Sequence, residues 1–288
     1  MSLSNVTKSI FEIHIAVLLM AGVPLFAKLI SLLAIDIIAI RSIIGAISLF
    51  IFIKITDVSL RVLTKKDFCI ICITGILLSI HWVTCFHAIK ISSVAVALIS
   101  LYTYPILTVF MEPIFFHEKI HVRDAVAGIF VLIGIYLTVC GEGVGSSIMA
   151  GFIWGVISAF AYALRNIVYR RYLKSYPSSS IMFYLLVVSS VLLLPIIFID
   201  SKDIFASKQW LHLFVLGVFF TATPHTILMR SLRYIKANTV GLIASVQPIY
   251  AILLAALILS EIPSLRTMIG GGIVIFTSAY ATRKDNDL

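Results

Sequence analysis

The feature that most constrains this chain is a repeat written into apolar sequence. Pro105 recurs as Pro248, Glu118 as Glu261, Arg123 as Arg266, Gly128 as Gly271 and Val131 as Val274, each pair 143 positions apart in a chain of 288 residues. The offset divides the sequence into near-equal halves, 1–143 and 144–288. The chain is 61% hydrophobic and 12% charged, with a mean hydropathy of +1.11. A water-soluble domain carries about 25% charged residues. No single soluble core absorbs this much apolar surface, and runs of roughly 20 apolar residues read as spans of a bilayer about 30 Å thick.

Segmentation predicts an all-α integral membrane protein of ten transmembrane helices. The first half supplies Ile10–Ile30, Ala34–Ile53, Asp67–His87, Ser92–Phe115 and Val122–Cys140. The second supplies Ile148–Arg170, Ile181–Ile199, Trp210–Arg230, Ala237–Ser260 and Leu265–Ala281. Connections are short, which leaves no room for a soluble domain, and no cleavable leader is expected ahead of the first run. Lysine and arginine mark the cytoplasmic side. Alternate loops hold clusters such as Lys54, Arg61, Lys65 and Lys66, or Arg230, Arg233 and Lys236, whereas the opposite loops hold only Lys90, Lys202, Lys208 and Arg266. Both termini are therefore expected in the cytoplasm. Five crossings per half turn the second half upside down, a 5+5 inverted repeat around a central cavity. Inverted repeats build carriers that expose one site to two sides in turn.

The net charge of +9 does not imply nucleic acid, because the basic residues sit at the ends of apolar runs rather than along a solvated face. Cys69 and Cys72 form a C-x-x-C on a predicted span with no second pair nearby, and read as small buried hydrophobes. No metal or cofactor is expected. The expected partners are a small-molecule substrate and membrane lipids, with proton or sodium coupling, in a monomer or homodimer.

Several runs carry a family likeness. The first half reads His81-Trp82-Val83-Thr84, then Ala88-Ile89-Lys90-Ile91-Ser92-Ser93-Val94-Ala95, then Pro105, Glu112-Pro113 and Glu118. The second reads Ser231-Leu232-Arg233-Tyr234, Leu242-Ile243-Ala244-Ser245, Gln247-Pro248-Ile249-Tyr250 and Glu261-Ile262-Pro263-Ser264-Leu265-Arg266. This pattern resembles EamA-type carriers of the drug/metabolite transporter superfamily over nearly the whole chain. The resemblance implies ten helices around a central cavity, cytoplasmic termini, and export or exchange of small metabolites such as amino acids. Many relatives carry a Trp-Gly pair midway along the first helix. Here the stretch reads Met20-Ala21-Gly22-Val23-Pro24.

At about 100° per residue, Ala97, Ser100, Tyr104, Thr108 and Glu112 form one small-and-polar stripe on the fourth helix. Such a stripe suits either a cavity wall or a close helix crossing. The sixth helix carries Ser158, Tyr162, Arg165 and Tyr169, and the second Arg41, Gly45 and Ser48. Polar seams on three helices are costly against lipid, and a shared aqueous cavity relieves that cost. Lys28, Arg41, His81 and Trp82 lie toward the outer side, where basic groups beside an aromatic suit a carboxylate-bearing substrate. For Lys28 and the histidines the alternatives are snorkelling and bonds to neighbouring carbonyls. Pro105 and Pro248 are expected to kink helices 4 and 9, as hinges or as static bends.

The halves differ chemically: Tyr104 is replaced at the same offset by Gln247, Thr108 by Ala251 and Glu112 by Ala255. Glu112 is thus the leading functional carboxylate, pairing with Arg165 in one state or taking up a proton; the alternative is an interfacial acid. Glu118 and Glu261 read as caps for the helices that follow them. The expected function is secondary active transport across a bacterial inner membrane, not enzymatic catalysis. An importer, an intramembrane lipid- or metabolite-modifying enzyme, and a channel are the rivals.

Overall fold

The computed structural model describes residues 3–61, 64–116, 122–141, 145–173, 175–200, 209–225, 227 and 246–284. All regular structure among them is helical. The first half gives α1 (Leu3–Leu29), α2 (Ala34–Ile55), α3 (Lys65–Ile91), α4 (Val94–Leu101), α5 (Tyr104–Phe116) and α6 (Val122–Gly141). The second gives α7 (Ser146–Val168), α8 (Ser178–Asp200), α9 (Trp210–Gly217), α10 (Gln247–Leu259) and α11 (Leu265–Lys284). A π-helical turn follows α7 at Tyr169–Leu173, and another follows α9 at Val218–Ala222. Six segments are long and apolar enough to cross a bilayer: Ile10–Leu29, Ala34–Ile55, Lys65–Ile91, Val94–Phe115, Ser146–Leu173 and Ser178–Pro195. Four further apolar helices are shorter, Val126–Gly141, Trp210–His225, Gln247–Leu259 and Leu265–Thr277.

The predicted fourth helix is two helices. α4 ends at Leu101, a turn follows at Tyr102–Thr103, and α5 starts at Tyr104. Pro105 is therefore the second residue of a new helix rather than a kink within an old one. Proline is well placed there, since the first backbone N–H groups of a helix have no intrahelical acceptor. Pro248 holds the same position in α10. The start of the predicted ninth helix, Ala237 onward to 245, lies outside the described residues, as does Glu118.

Local chemistry sets several helix ends. Thr64 accepts from the Asp67 amide at the start of α3 (3.1 Å), and Ser93 accepts from the Val96 amide at the start of α4 (3.2 Å). At the end of α10, Ser260 adopts a left-handed conformation (φ 58°) and the Glu261 N–H donates to the Ala255 carbonyl at 3.3 Å. That turn throws the following loop back over the bundle. It also reassigns the cap expected from Glu261. Ser264, whose Oγ accepts from the Thr267 amide at 3.2 Å, caps α11. Glu261 instead reaches α4, accepting from the Val94 amide through Oε2 at 2.9 Å.

α3 packs along α7 and α8, α1 along α10, α4 and α5 along α7, α2 along α8, and α6 along α11. Small residues permit the closest crossings. A Cβ added to Gly134 would stand 2.7 Å from the Gly270 carbonyl oxygen, so α6 and α11 meet backbone to backbone. One large core runs through α1, α2, α3 and α8, with Ile13, Ile37, Leu185 and Leu186 fully buried around it or within it. Leu132, Leu257 and Phe276 lie largely exposed on the outside. Apolar outer faces of this kind suit hydrocarbon and not water.

Candidate functional site

A cavity of about 130 Å³ sits where the break between α4 and α5 faces α1, α2, α3 and α7. Residues of both halves line it. Of the predicted cavity residues, Arg41, His81, Trp82, Tyr104, Tyr162, Arg165 and Gln247 reach it. Ser100 and Thr108 do not line it. Ser100 is buried between helices: its Oγ donates to the Val96 carbonyl at 2.7 Å, and a Cβ added to Gly155 of α7 would come within 2.5 Å of its Cβ. It serves the close-packing alternative for that stripe. Thr108 Oγ1 turns back to the Tyr104 carbonyl at 2.8 Å. The side chains of Glu112 and Pro105 lie outside the described residues, and only their positions on α5 are given.

Arg41 lies seven residues into α2, on the order of 10 Å along the helix at 1.5 Å per residue, and is 2% exposed. Its guanidinium carbon stands 4.3 Å above the Trp82 ring and 5.3 Å from that of Phe86. Its Nε and Nη1 are buried without a hydrogen-bond partner among the described residues. Arg165, 7% exposed, donates through Nη1 to Asn166 Oδ1 at 3.1 Å and stands 5.7 Å from the Tyr162 ring. Its Nε is likewise without a partner among the described residues. Cation–π contacts contribute about 2 kcal/mol each when dry. Desolvating a guanidinium costs several kcal/mol even after relaxation. The rings hold Arg41 in place without replacing the hydrogen bonds it gave up.

Between the two arginines runs an aromatic wall. The His81 ring lies 4.5 Å from that of Tyr162, Tyr162 meets Tyr104 edge-on at 4.7 Å, and Tyr104 stands 5.8 Å from Tyr102. Ser158 fixes the imidazole. Its Oγ donates to the His81 carbonyl at 2.8 Å, while His81 Nδ1 faces that Oγ at 2.7 Å and the Ser158 carbonyl at 3.3 Å. A carbonyl only accepts, so in the neutral ring the proton belongs on Nδ1 and the other nitrogen is an acceptor. None of the described lining residues is acidic. Among the described residues no group of three or more His, Cys, Asp or Glu side chains could hold a metal ion.

Some of the wall was not foreseen. Tyr102 belongs to the turn that replaces a continuous helix, and Phe220 to the π-helical turn after α9. The hydroxyls of Thr221 and Thr223 donate to the carbonyls five residues back, at 2.8 and 2.9 Å, which satisfies acceptors that a π-turn frees. That threonine pair was the available signal. Phe220 packs on Gly22, where any Cβ would strike its ring. The stretch Met20–Pro24 therefore forms cavity wall, through Met20, Val23 and Pro24.

One end of the bundle is tied by charge. Lys28 Nζ pairs with Glu261 Oε1 at 3.0 Å and donates to the Ser92 carbonyl at 2.6 Å. Lys90 Nζ donates to the Ile30 carbonyl at 2.7 Å. With Glu261 on the Val94 amide, this cluster binds the end of α1 and the α10–α11 loop to the start of α4.

Comparison with known proteins gives a consistent picture. The model of the EamA-like transporter family matches residues 7–140 and again 149–283. An "Uncharacterized transporter" of Archaeoglobus fulgidus is 26% identical over 197 residues, 68% of this chain and 70% of that protein. "Uncharacterized transporter YdfC" of Bacillus subtilis is 23% identical over 252 residues, 86% of this chain and 81% of its own length. "Uncharacterized transporter YxxF" of the same organism is 22% identical over 211 residues, covering 72% and 67%. A solved structure titled "Crystal structure of protein" shares the fold, with a TM-score of 0.68 at 19% identity over 100% of both chains.

Proposed function

The chain belongs to the EamA-like transporter family, and from that premise we propose that it is a secondary active transporter. It moves a small polar metabolite, an amino acid or related compound, across the bacterial inner membrane by alternating access. One observation carries this reading: a cavity lined from both halves, at a helix break, holding two buried guanidiniums with unused donors. Irregular backbone at membrane depth is tolerated where it lines a cavity.

In this reading the two halves, 1–143 and 144–288, are five-helix repeats of opposite orientation, ten spans in all, with both termini in the cytoplasm. The packing of α2 on α8 and of α6 on α11 supports it, because each pair joins counterparts in the two halves. The distribution of lysine and arginine between alternate loops supports the direction. The Lys28–Glu261 cluster holds the outer end shut. Its release frees the start of α4, and α4 ends at the cavity, so outer opening and the shape of the site are coupled. Pro105 and Pro248 mark the joints about which the half-helices move. The energy comes from a gradient of substrate, protons or sodium, with Glu112 and Arg165 as the switch that pairs in one state.

Counterflow tests the proposal. Protein reconstituted in vesicles preloaded with unlabelled amino acids or organic acids should accumulate the matching labelled compound saturably and return it chemically unchanged. Flux that never saturates would indicate a channel, and an altered product an enzyme. Glu112→Gln tests the switch: an unchanged rate and pH dependence removes Glu112 from the mechanism and leaves the carrier standing.

A further inference from the structure

We infer that the central cavity selects a compact organic carboxylate of net negative charge, in preference to neutral or cationic analogues of the same size. The inference rests on the carrier reading and narrows its substrate class, away from net-neutral amino acids and toward organic acids. Arg41 and Arg165 enter the cavity from different helices, α2 and α7, and both are more than nine-tenths buried. Arg41 Nε and Nη1 and Arg165 Nε have no hydrogen-bond partner among the described residues, and no described lining residue is acidic. Two buried cations with spare donors, and no acidic residue among the described lining, create a field that favours one sign of ligand.

A carboxylate fits the spare donors. Arg41 Nε and Nη1 and Arg165 Nε can each give a carboxylate oxygen one charge-assisted bond, about twice as strong as a neutral one. An ammonium group would enter beside two fixed positive charges with no carboxylate among the described lining residues to receive it. Among the other lining residues, Trp82, Phe86, Tyr104, Tyr162 and Phe220 offer flat ring surface to a short carbon skeleton. A cavity of about 130 Å³ suits a small acid. Inorganic phosphate shares the charge but not the apolar flank.

Trp82 reports on the site, because its ring lies under the Arg41 guanidinium. With Trp154 and Trp210 replaced by phenylalanine, the full-length protein is titrated with propionate, propionamide, propylamine and inorganic phosphate at constant ionic strength. The expected result is a saturable change in Trp82 emission with propionate, at least tenfold weaker with phosphate, and none with the amide or amine. Arg41→Gln and Arg165→Gln should each weaken propionate binding at least tenfold, with Arg41→Lys and Arg165→Lys in between. Amide or amine binding as tight as propionate binding overturns the proposal, as does phosphate binding as tight as propionate. The comparison of ligands on the parent protein decides the matter even if an arginine variant fails to fold. Vesicle counterflow separates the two levels: saturable exchange of a cation or neutral compound sinks the anion site and spares the carrier. Propionate binding that depends on Arg41, without exchange of any compound tested, does the reverse.

Discussion

Lys28 and Arg41 are both cations within apolar helices, and the structure treats them in opposite ways. Lys28 has a carboxylate at 3.0 Å and a carbonyl at 2.6 Å, and its partner Glu261 has a second bond at the start of α4. Arg41 has two aromatic rings and two nitrogens without acceptors among the described residues. Lys28 is partly exposed, at 23% for its side chain, whereas Arg41 is almost fully enclosed. The charge that water could help is the one supplied with partners, and the one out of reach of water is left wanting. A satisfied charge ties elements together. An unsatisfied one costs stability, and its persistence makes sense where a ligand completes it.

Replacing each charge tests that contrast. Arg41→Gln should reduce counterflow ten- to a hundredfold, the loss of about 1.5–3 kcal/mol for bonds to a charged group. It should leave the melting temperature of the ligand-free protein unchanged or higher, since an unpaired buried charge has gone; a marked fall in melting temperature would show that Arg41 is structural. Glu261→Gln should behave the other way. It should cost about 1–2 kcal/mol, because Gln keeps a neutral acceptor for the Val94 amide but loses the charge that Lys28 and the helix end favour, and lower the melting temperature. In a double-mutant cycle, Lys28→Met combined with Glu261→Gln should cost little more than either alone, and full additivity would mean that the pair does not interact. Ser158→Ala removes both bonds its hydroxyl makes with His81, at about 1 kcal/mol each, so exchange should slow severalfold with a modest fall in stability. Ser100→Ala should have the smallest effect, under twofold on rate, because its hydroxyl only bonds back along its own helix. A larger loss of flux would return Ser100 to the cavity.

Much of the fold was legible in the residues. Apolar runs and their lengths announced a multi-pass membrane protein, and the 143-residue offset coincides with a family match in two consecutive stretches. The arginines and His81 were legible as residue types costly against lipid, and Tyr162 as a neighbour in the seam of Arg165. Helical periodicity failed where the helix itself failed. It projected Ser100, Tyr104 and Thr108 onto one face, but the turn at Tyr102–Thr103 breaks the phase between Ser100 and Tyr104. Only Tyr104 reaches the cavity, while Ser100 turns to Gly155. The role of Glu261 was missed for a related reason: sequence proximity pointed to the next helix, and a single left-handed residue, Ser260, redirected it.

The sequence by itself determined that the chain must span a bilayer, that it is built twice, and that its few interior charges need a destination, because hydrocarbon solvates neither backbone nor charge. Only the tertiary structure decided which charges were answered. Partnership depends on distances of about 3 Å between residues far apart in the chain, Lys28 to Glu261 or His81 to Ser158. A one-dimensional pattern fixes the face of a helix but not what stands opposite it. Arg41 and Lys28 look alike in the sequence, and they differ because the α10–α11 loop folds over one and aromatic rings enclose the other.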